Sequence, residues 1–397
     1  MTDSLSSVHR FFQENIHALV LLGALGIYTT YYYLRVVQKP QIFGKDGKFI
    51  QFVGRHIPML KEPFRPTIWC FIHQLQTIGP VLMKFFASIQ YRSEKLKLSD
   101  GGEIILDWMD NNDDVKHSQS TRPTVLILPG ITGSSKSHYC LNMNKALMKH
   151  GYRSVVFNYR GLGGAVIKTP RTYCAANTDD LEYVIKHVQG LCPEAPIIAV
   201  GISIGGIILF NYLAKVGKET PLKAAMTVSV AWNTMKSTES LETPVNLILF
   251  NRFLTRELTQ VLAKNAHIFE GHIDTDYAIQ SQTIKEFDER FTSKVFGYND
   301  VDHYYNEATL HNKVHCIGIP TLCLSAGDDP FAPLATIPMD DAKQQSNIAL
   351  VVTSHGGHVG FTEGFVPKGN GYMLRLFDQF IHGFFQHGIK EVLMSTN

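Results

Sequence analysis

The stretch that most constrains the fold is 197–208, where a short apolar run leads into Gly-Ile-Ser-Ile-Gly-Gly and then into a second apolar segment. The first run is rich in β-branched residues, which is typical of a buried strand, and the second has apolar residues at helical spacing. Ser203 therefore lies on a tight turn from strand to helix, an arrangement known as a nucleophile elbow. Gly201 and Gly205 lie two residues to either side, where a strained turn leaves no room for a β-carbon. We predict that Ser203 is a nucleophile.

The rest of the chain supports a mostly parallel sheet around this turn. From Thr124 onward, short apolar strands alternate with helical stretches, which is typical of a parallel sheet with crossover helices on its faces. The predicted strands are 90–98, 103–108, 125–128, 154–158, 197–201, 225–230, 321–325 and 349–353. The predicted helices are 138–150, 178–189, 205–215 and 372–386. Because a Ser-Asp-Gly-Gly turn separates the first two strands, we predict that they form a β-hairpin.

This alternation stops between residues 232 and 315, where the pattern is mostly helical and rich in aromatic residues. An insertion between two strands of such a sheet lies over their carboxyl ends, where functional sites form. We therefore predict a helical cap or lid at 232–315, inserted between the two parts of an α/β core at 91–231 and 316–390. A purely structural helical appendage is the alternative.

The N-terminal region contains an apolar and aromatic run, residues 16–37, which is long enough to cross a hydrocarbon layer of ~30 Å. Its tyrosines cluster at the C-terminal end, where such side chains favour the membrane boundary. We predict a short tail at 1–15, a transmembrane signal-anchor helix at 16–37 and a connecting region at 38–90. A buried N-terminal helix is the alternative.

Charge and cysteine content exclude several classes of protein. The net charge is +2 and no block of like charges occurs, which argues against nucleic acid as a partner. The six cysteines are scattered without a C-x-x-C pair, which argues against a structural zinc site or a small disulfide scaffold. More basic residues follow the predicted span than precede it, which favours a cytosolic position for the large domain. We predict no metal and no cofactor, and the sequence indicates no oligomeric state.

A serine hydroxyl needs a base to accept its proton and an acid to orient that base. Two loops that follow predicted strands supply them in the order serine, acid, histidine. We predict Asp329 as the acid rather than Asp328, because Asp329 is followed by the usual Pro-Phe-Ala-Pro run. His358 is the predicted base, with His355 as its rival, because the two glycines before His358 let its ring lie close to Ser203.

The negative charge that develops on an attacked carbonyl oxygen needs two backbone donors. One is the residue after the nucleophile, Ile204. The other is predicted in the glycine-rich loop 128–135, where the Ile131 amide is our choice and Gly130 or Thr132 is the alternative. A plain tight turn without this role is a further alternative.

Several motifs together resemble one family. They are Leu-Pro-Gly-Ile-Thr-Gly-Ser-Ser at 128–135, Thr-Pro-Arg-Thr-Tyr-Cys at 169–174, Gly-Ile-Ser-Ile-Gly-Gly at 201–206, Phe-Asp-Glu-Arg-Phe-Thr-Ser at 287–293, Asp-Asp-Pro-Phe-Ala-Pro at 328–333 and Gly-Gly-His-Val-Gly-Phe at 356–361. The chain resembles the membrane-anchored abhydrolase domain-containing proteins of the type 1 and type 3 branch. The resemblance implies an α/β-hydrolase fold and a triad of Ser203, Asp329 and His358. It departs at Tyr159, where we expect an asparagine in the family pattern, and we expect Tyr159 near the rim of the site.

The resemblance also implies a function. It suggests a single-pass membrane protein of the endoplasmic reticulum or another endomembrane, with a cytosolic N-terminus. This orientation is opposite to the one that the charge distribution favours. It further suggests a phospholipase A that cleaves acyl esters of glycerophospholipids in the membrane, with phosphatidylcholine as substrate. A monoacylglycerol lipase or general carboxylesterase is the alternative, and a non-catalytic lipid-binding protein is a third hypothesis.

Overall fold

A computed structural model of the chain describes residues 2–82, 88–112, 116–366 and 371–394. These residues contain a single mixed sheet. Its strands in chain order are β1 (Gln41–Phe43), β2 (Arg92–Lys97), β3 (Glu103–Met109), β4 (Thr124–Leu128), β5 (Arg153–Asn158), β6 (Ile197–Ile202), β7 (Ala224–Val228), β8 (Thr321–Ala326) and β9 (Ile348–Thr353). The predicted strands are confirmed to within a few residues at each end.

The strands lie in the order β1-β9-β8-β7-β6-β4-β5-β3-β2. From β5 to β9 all neighbours are parallel, while β3 pairs antiparallel with β5 and with β2, which confirms the predicted hairpin. At the opposite edge β1 pairs antiparallel with β9, joining Ile42 to Val351. β1 was not predicted, because three residues are too few to show a strand period.

Apart from the N-terminal helix, the helices pack on both faces of this sheet and above its carboxyl edge. In chain order the helices are α1 (Thr2–Tyr31), α2 (Lys48–His56), α3 (His73–Leu82), α4 (His138–Lys149), α5 (Asp179–Leu191), α6 (Ile204–Val216), α7 (Thr234–Leu241), α8 (Pro244–Asn246), α9 (Arg252–Lys264), α10 (Thr275–Ile279), α11 (Ile284–Phe287), α12 (Ser293–Val295), α13 (Val301–Ala308), α14 (Met339–Ala342) and α15 (Tyr372–Gly383). Apolar side chains of α5 and α6 join the core on one face, and those of α2, α4 and α15 join it on the other. Both faces of the parallel strands are therefore buried, as their uninterrupted apolar runs predict.

The predicted connecting region 38–90 is more than a linker. Besides providing β1, it contains α2, whose Phe49 and Phe52 are 1% exposed and pack beside Phe380 and Phe384 of the C-terminal helix. A helix that buries this much aromatic surface belongs to the core of the domain. Residues 83–87 of this region lie outside the described residues.

The N-terminal helix stands apart from the core. Asn15–Val36 is long and apolar enough to cross a membrane, and most of its side chains are exposed in the folded chain. The alternative of a buried N-terminal helix is therefore wrong. At its C-terminal end the helix is tied to the domain, because the Tyr32 hydroxyl donates a hydrogen bond of 2.6 Å to the carbonyl of Pro66.

Residues 232–315 carry helices α7–α13 between β7 and β8. A π-helical turn, Leu247–Asn251, joins α8 to α9 and makes one continuous helix of 244–264. A second π-helical turn, Asp288–Thr292, joins α11 to α12. Phe269, Phe287 and Phe291 form a small apolar cluster together with Ile167 from outside this region, so the region is packed rather than a loose loop.

Candidate active site

The turn between β6 and α6 holds Ser203 in a strained conformation. Its φ of 54° and ψ of −123° are unusual for a residue with a side chain. The flanking glycines explain how the turn fits: a β-carbon on Gly205 would lie 2.4 Å from the carbonyl oxygens of Leu128 and Pro129. One on Gly201 would lie 2.5 Å from the carbonyl oxygen of Gly205. The predicted order of a strand, a tight turn and a helix is confirmed.

Three of the predicted site residues lie in hydrogen-bonding contact. The Ser203 Oγ is 2.9 Å from Nε2 of His358. On the other side of the ring, Nδ1 of His358 is 3.0 Å from Oδ2 and 3.1 Å from Oδ1 of Asp329. In the tautomer with a proton on Nδ1, the ring donates to the carboxylate and accepts from the serine hydroxyl. The geometry is the one that a base needs to take the hydroxyl proton.

The carboxylate of Asp329 is held from several sides. Its side chain is fully buried, and its Oδ1 accepts a hydrogen bond of 2.8 Å from the backbone N–H of Phe331. The ring of Phe331 stacks on the imidazole of His358, with centroids 3.9 Å apart. Phe331 therefore orients the Asp329 carboxylate through its backbone and limits the movement of the His358 imidazole through its ring.

The neighbouring Asp328 has a different position. Its Oδ1 accepts a hydrogen bond of 2.9 Å from the backbone N–H of Gly357, in the loop that carries His358. Burial raises the pKa of the Asp328 carboxyl to about 7. The structure thus places Asp329, and not Asp328, against the imidazole, and it gives Asp328 a contact that supports the histidine loop.

Contacts that the sequence did not suggest fix the rest of this loop. The backbone N–H of His358 donates to Oγ1 of Thr77 on α3 at 2.9 Å, and the N–H of Val359 donates to Oγ of Ser229 at 3.1 Å. Both partners are far away in the chain, so no local pattern could have indicated them. The rival base His355 has its Nδ1 3.1 Å from its neighbour's hydroxyl, Oγ of Ser354, and is not part of the serine–histidine contact.

The loop after β4 leaves one of its three candidate oxyanion donors, the backbone N–H groups of Gly130, Ile131 and Thr132, without a hydrogen-bond partner in the described part of the chain. The N–H of Gly130 donates to the hydroxyl of Tyr139 at 2.8 Å, and the N–H of Thr132 donates to the hydroxyl of Tyr173 at 3.1 Å. Within the described part of the chain, the amides of Ile131 and Ile204 have no hydrogen-bond partner. Both isoleucines line the same cavity as Ser203. These two amides are therefore free to bind an oxygen atom there.

Tyr159 lies beneath this loop, and its expected position at the rim is wrong. The side chain is 1% exposed, and its hydroxyl donates a hydrogen bond of 2.9 Å to the carbonyl of Pro129. Its ring stacks on Tyr173, with centroids 4.5 Å apart. Tyr159 belongs to the apolar core that includes side chains of α5 and α6, and its hydroxyl holds the loop from below.

A mainly apolar cavity extends from Ser203 into the helical insertion. It encloses about 140 Å³ in which the centre of a water molecule can lie. The core side of its wall includes Ile131, Thr132, Tyr173, Ser203, Ile204, Ala231, Phe331 and His358. The wall on the insertion side includes Leu241, Leu254, Leu258, Leu262, Ile284, Phe287, Phe291, Tyr304 and Tyr305. The apolar lining suits an apolar group whose reacting end lies at Ser203.

One carboxyl lies in this wall. Asp288 begins the π-helical turn of the insertion, and its Oδ2 accepts a hydrogen bond of 3.1 Å from the hydroxyl of Tyr305. Burial raises the pKa of Asp288 to about 7, although hydrogen bonds from Thr292 and Tyr305 act in the opposite direction. The sequence did not indicate this position for Asp288, since only folding brings its stretch to the cavity.

We expect Asp288→Asn to change the pH dependence of stability. An unfolded aspartate titrates near about pH 4, whereas the folded one holds its proton up to about pH 7. Between these values the folded state binds more protons, so the free energy of unfolding falls as the pH rises. Asparagine does not titrate, so the free energy of unfolding of the variant does not fall in this way. The variant and the natural protein should therefore have nearly equal free energies of unfolding at about pH 4, and the variant should be more stable by up to ~4 kcal/mol at about pH 8.

Denaturant unfolding in detergent at both pH values checks this expectation. Asp276→Asn, on an exposed carboxyl of the same insertion, is the matched control and should leave the pH dependence unchanged. A stability difference between Asp288→Asn and the natural protein that is the same at both pH values would contradict the burial of a protonated carboxyl.

Comparison with known proteins agrees with the fold. Residues 123–365 match the alpha/beta hydrolase fold family. The chain is 47% identical over 380 residues to phospholipase ABHD3 of Bos taurus, which covers 95% of this chain and 92% of that protein. It is 45% identical over 379 residues to phospholipase ABHD3 of Homo sapiens, covering 95% and 93%. This chain is accordingly a member of the alpha/beta hydrolase fold family, in the abhydrolase domain-containing branch that includes the ABHD3 phospholipases.

Proposed function

We propose that this chain is a membrane-anchored serine hydrolase that cleaves acyl esters of glycerophospholipids, with phosphatidylcholine as a substrate. Ser203 attacks the ester carbonyl, while His358 takes the serine proton and passes it to the leaving alcohol. Asp329 holds the imidazole in the required tautomer and stabilises its charged form. A water molecule, deprotonated by the same histidine, then releases the fatty acid from the acyl-enzyme. The observation that carries the proposal is the pair of contacts of 2.9 Å and 3.0 Å that joins Ser203, His358 and Asp329, the first two of which lie in the wall of an apolar cavity.

The amides of Ile131 and Ile204 are the proposed donors to the carbonyl oxygen as it becomes negatively charged. Their alternatives in the loop, Gly130 and Thr132, already donate to tyrosine hydroxyls, which favours Ile131. Ile204 is also the first residue of α6, where the helix N-terminus favours negative charge. Donors fixed in this way cost no reorganisation when the charge forms.

Three observations support a lipid rather than a soluble ester. The cavity wall is mainly apolar, which matches an acyl chain. The apolar helix Asn15–Val36 supplies a means of holding the domain at a membrane, where phospholipids are found. The related proteins from Bos taurus and Homo sapiens carry the name phospholipase. The insertion 232–315 is the proposed cap, because its helices form one side of the acyl cavity.

The test uses the purified full-length protein in vesicles of phosphatidylcholine. We expect release of a fatty acid and a lysophospholipid in equal amounts, and covalent labelling by a fluorophosphonate. Hydrolysis of monoacylglycerol alone would favour the lipase alternative, and hydrolysis of short soluble esters alone would favour a general carboxylesterase. Absence of both turnover and labelling would contradict the proposal and favour a lipid-binding protein. Asp276→Asn, remote from the triad contacts, is a control for expression and handling.

A further inference from the structure

The outward side of the cap helix 244–264 is not used by the proposed reaction. Val245, Ile248 and Phe253 are 53%, 64% and 57% exposed, and Leu249 is 38% exposed. Val245 lies three residues before Ile248 and four before Leu249, and Phe253 lies four residues after Leu249, so these side chains fall on one side of the helix. Single exposed apolar residues are common on soluble proteins, but a row of four on one helix marks a surface that contacts something apolar.

The other side of this helix forms part of the cavity. Leu254, Leu258 and Leu262 lie in the cavity wall, whereas the four outward residues do not. The helix therefore borders the proposed acyl cavity with side chains of its C-terminal part and exposes apolar side chains in its N-terminal part. An ordinary surface helix is polar on the side away from the core, so the exposed apolar side chains of the N-terminal part are unusual.

The charges on the helix fit a lipid surface. Arg252 and Arg256 are exposed next to the apolar residues. Neither forms an ion pair with any residue that the structure describes. Helices that lie in the membrane interface combine an apolar side with such cations, which bind lipid phosphates while their aliphatic stems stay in apolar surroundings. A protein partner would require acidic groups to match the arginines, and a bilayer supplies phosphates without further design.

The helix and the membrane anchor are both close to the histidine loop. On the cap side, the ring of Phe250 packs against Phe331, with centroids 5.6 Å apart, and Phe331 stacks on His358. On the anchor side, Thr77 of α3 contacts the backbone of His358. The hydroxyl of Tyr32, at the end of the anchor helix, donates a hydrogen bond to the carbonyl of Pro66, in the segment that precedes α3. The end of the anchor helix and the cap helix are therefore both connected by contacts to the region of the histidine loop.

Further exposed apolar side chains lie between the anchor and α3. Trp69 is 45% and Ile72 is 53% exposed, and the indole N–H of Trp69 donates a hydrogen bond of 2.6 Å to the carbonyl of Phe365. Phe365 is itself 75% exposed. The segment between the anchor and α3 therefore also carries exposed apolar side chains.

We propose that Val245, Ile248, Leu249 and Phe253 insert into the head-group region of the same bilayer that the anchor helix enters. The acyl chain then passes from the bilayer past this helix into the cavity without crossing water. The contact of these four side chains with the bilayer does not depend on the catalytic chemistry. The path of the acyl chain rests on the proposed function. The occupant of this surface is thus a phospholipid bilayer.

The contact is tested on the full-length protein in vesicles of phosphatidylcholine with a minor fraction of phosphatidylserine. An environment-sensitive fluorophore is attached at Ile248→Cys, in a Cys316→Ser background because Cys316 is the partly exposed native thiol. The matched control is Lys218→Cys, which is exposed just before β7, at the amino edge of the sheet. We expect blue-shifted emission, and quenching by lipids with a nitroxide in the upper acyl chain, at position 248 but not at 218. Equal quenching at both positions, or a shift at 248 in detergent accompanied by dimer formation, would overturn the proposal.

A functional measurement separates this proposal from the proposed activity. We expect the double variant I248E/F253E to lose about ten-fold or more of its rate on phospholipid vesicles, since charges oppose insertion of apolar area. Its rate on a short soluble ester should stay unchanged, because neither residue lines the cavity. The matched control is Leu191→Glu, 55% exposed at the end of α5. If the double variant keeps its rate on vesicles, the docking proposal fails and the hydrolase proposal stands. If the natural protein hydrolyses neither substrate, the hydrolase proposal fails, and the fluorescence measurement still tests the docking proposal.

Discussion

Ser203→Ala is expected to lower kcat for ester hydrolysis by a factor of about 10⁴ or more. Without the hydroxyl no acyl-enzyme forms, and the remaining catalysis comes only from binding and from the two amide donors. Stability should change by less than about 1 kcal/mol, because alanine keeps the β-carbon and only the hydrogen bond to His358 is lost. The measurement is the rate of fatty acid release, together with thermal unfolding of the same preparation.

Asp329→Asn provides the companion experiment for Ser203→Ala. The amide preserves the shape of the buried carboxylate but stabilises the wrong tautomer of His358, so a fall in kcat of about 10⁴ is expected. Because the residues act as one unit, combining both substitutions should cost little more than Ser203→Ala alone. Strictly additive losses, or covalent fluorophosphonate labelling that persists in Ser203→Ala, would show that another nucleophile carries the reaction.

Gly205→Ala is expected to damage both stability and activity. The new β-carbon would lie 2.4 Å from the carbonyl oxygens of Leu128 and Pro129, and backbone cannot rotate away as a side chain can. The start of α6 must therefore separate from the loop that carries Ile131. Overpacking of this kind costs about 3 kcal/mol or more, and displacing one amide donor lowers kcat by a factor of about 10²–10³.

Gly190→Ala is the matched control for this substitution. Gly190 lies near the end of α5, and nothing lies within 4 Å of the position that its β-carbon would occupy. Alanine there should be neutral or stabilise the helix by up to about 1 kcal/mol. Comparison of Tm, kcat and KM for the two variants separates the steric effect from a general effect of replacing glycine. A Gly205→Ala protein with the Tm and kcat of the natural one would contradict the close packing at the turn.

Much of the architecture follows from local patterns in the chain. A strand buried on both faces must be a continuous apolar run, and a crossover helix must return the chain to the same edge of the sheet. For this reason the strands that end before Ser203, Asp329 and His358 were all predictable, as was the meeting of these residues at one edge. The turn itself was predictable because Gly201 and Gly205 have a steric reason to be glycine.

Other features depend on contacts between distant segments. β1 is too short to show a period, and it is a strand only because β9 offers an unpaired edge. Gly130 and Thr132 differ from Ile131 only in the folded chain, where the hydroxyls of Tyr139 and Tyr173 accept their amide protons. No spacing in the chain encodes such pairings.

The sequence alone therefore determined the order of the strands along the chain, the strained serine turn, the three residues of the predicted triad and a helix able to span a membrane. Only the tertiary structure decided which amides stay free, that Tyr159 lies under the loop and that the carboxyl of Asp288 is buried in the cavity wall. The physical reason is the distance along the chain over which each effect acts, because repeat patterns and steric demands act between near neighbours. Hydrogen-bond partners and burial are set by segments that meet only when the chain folds.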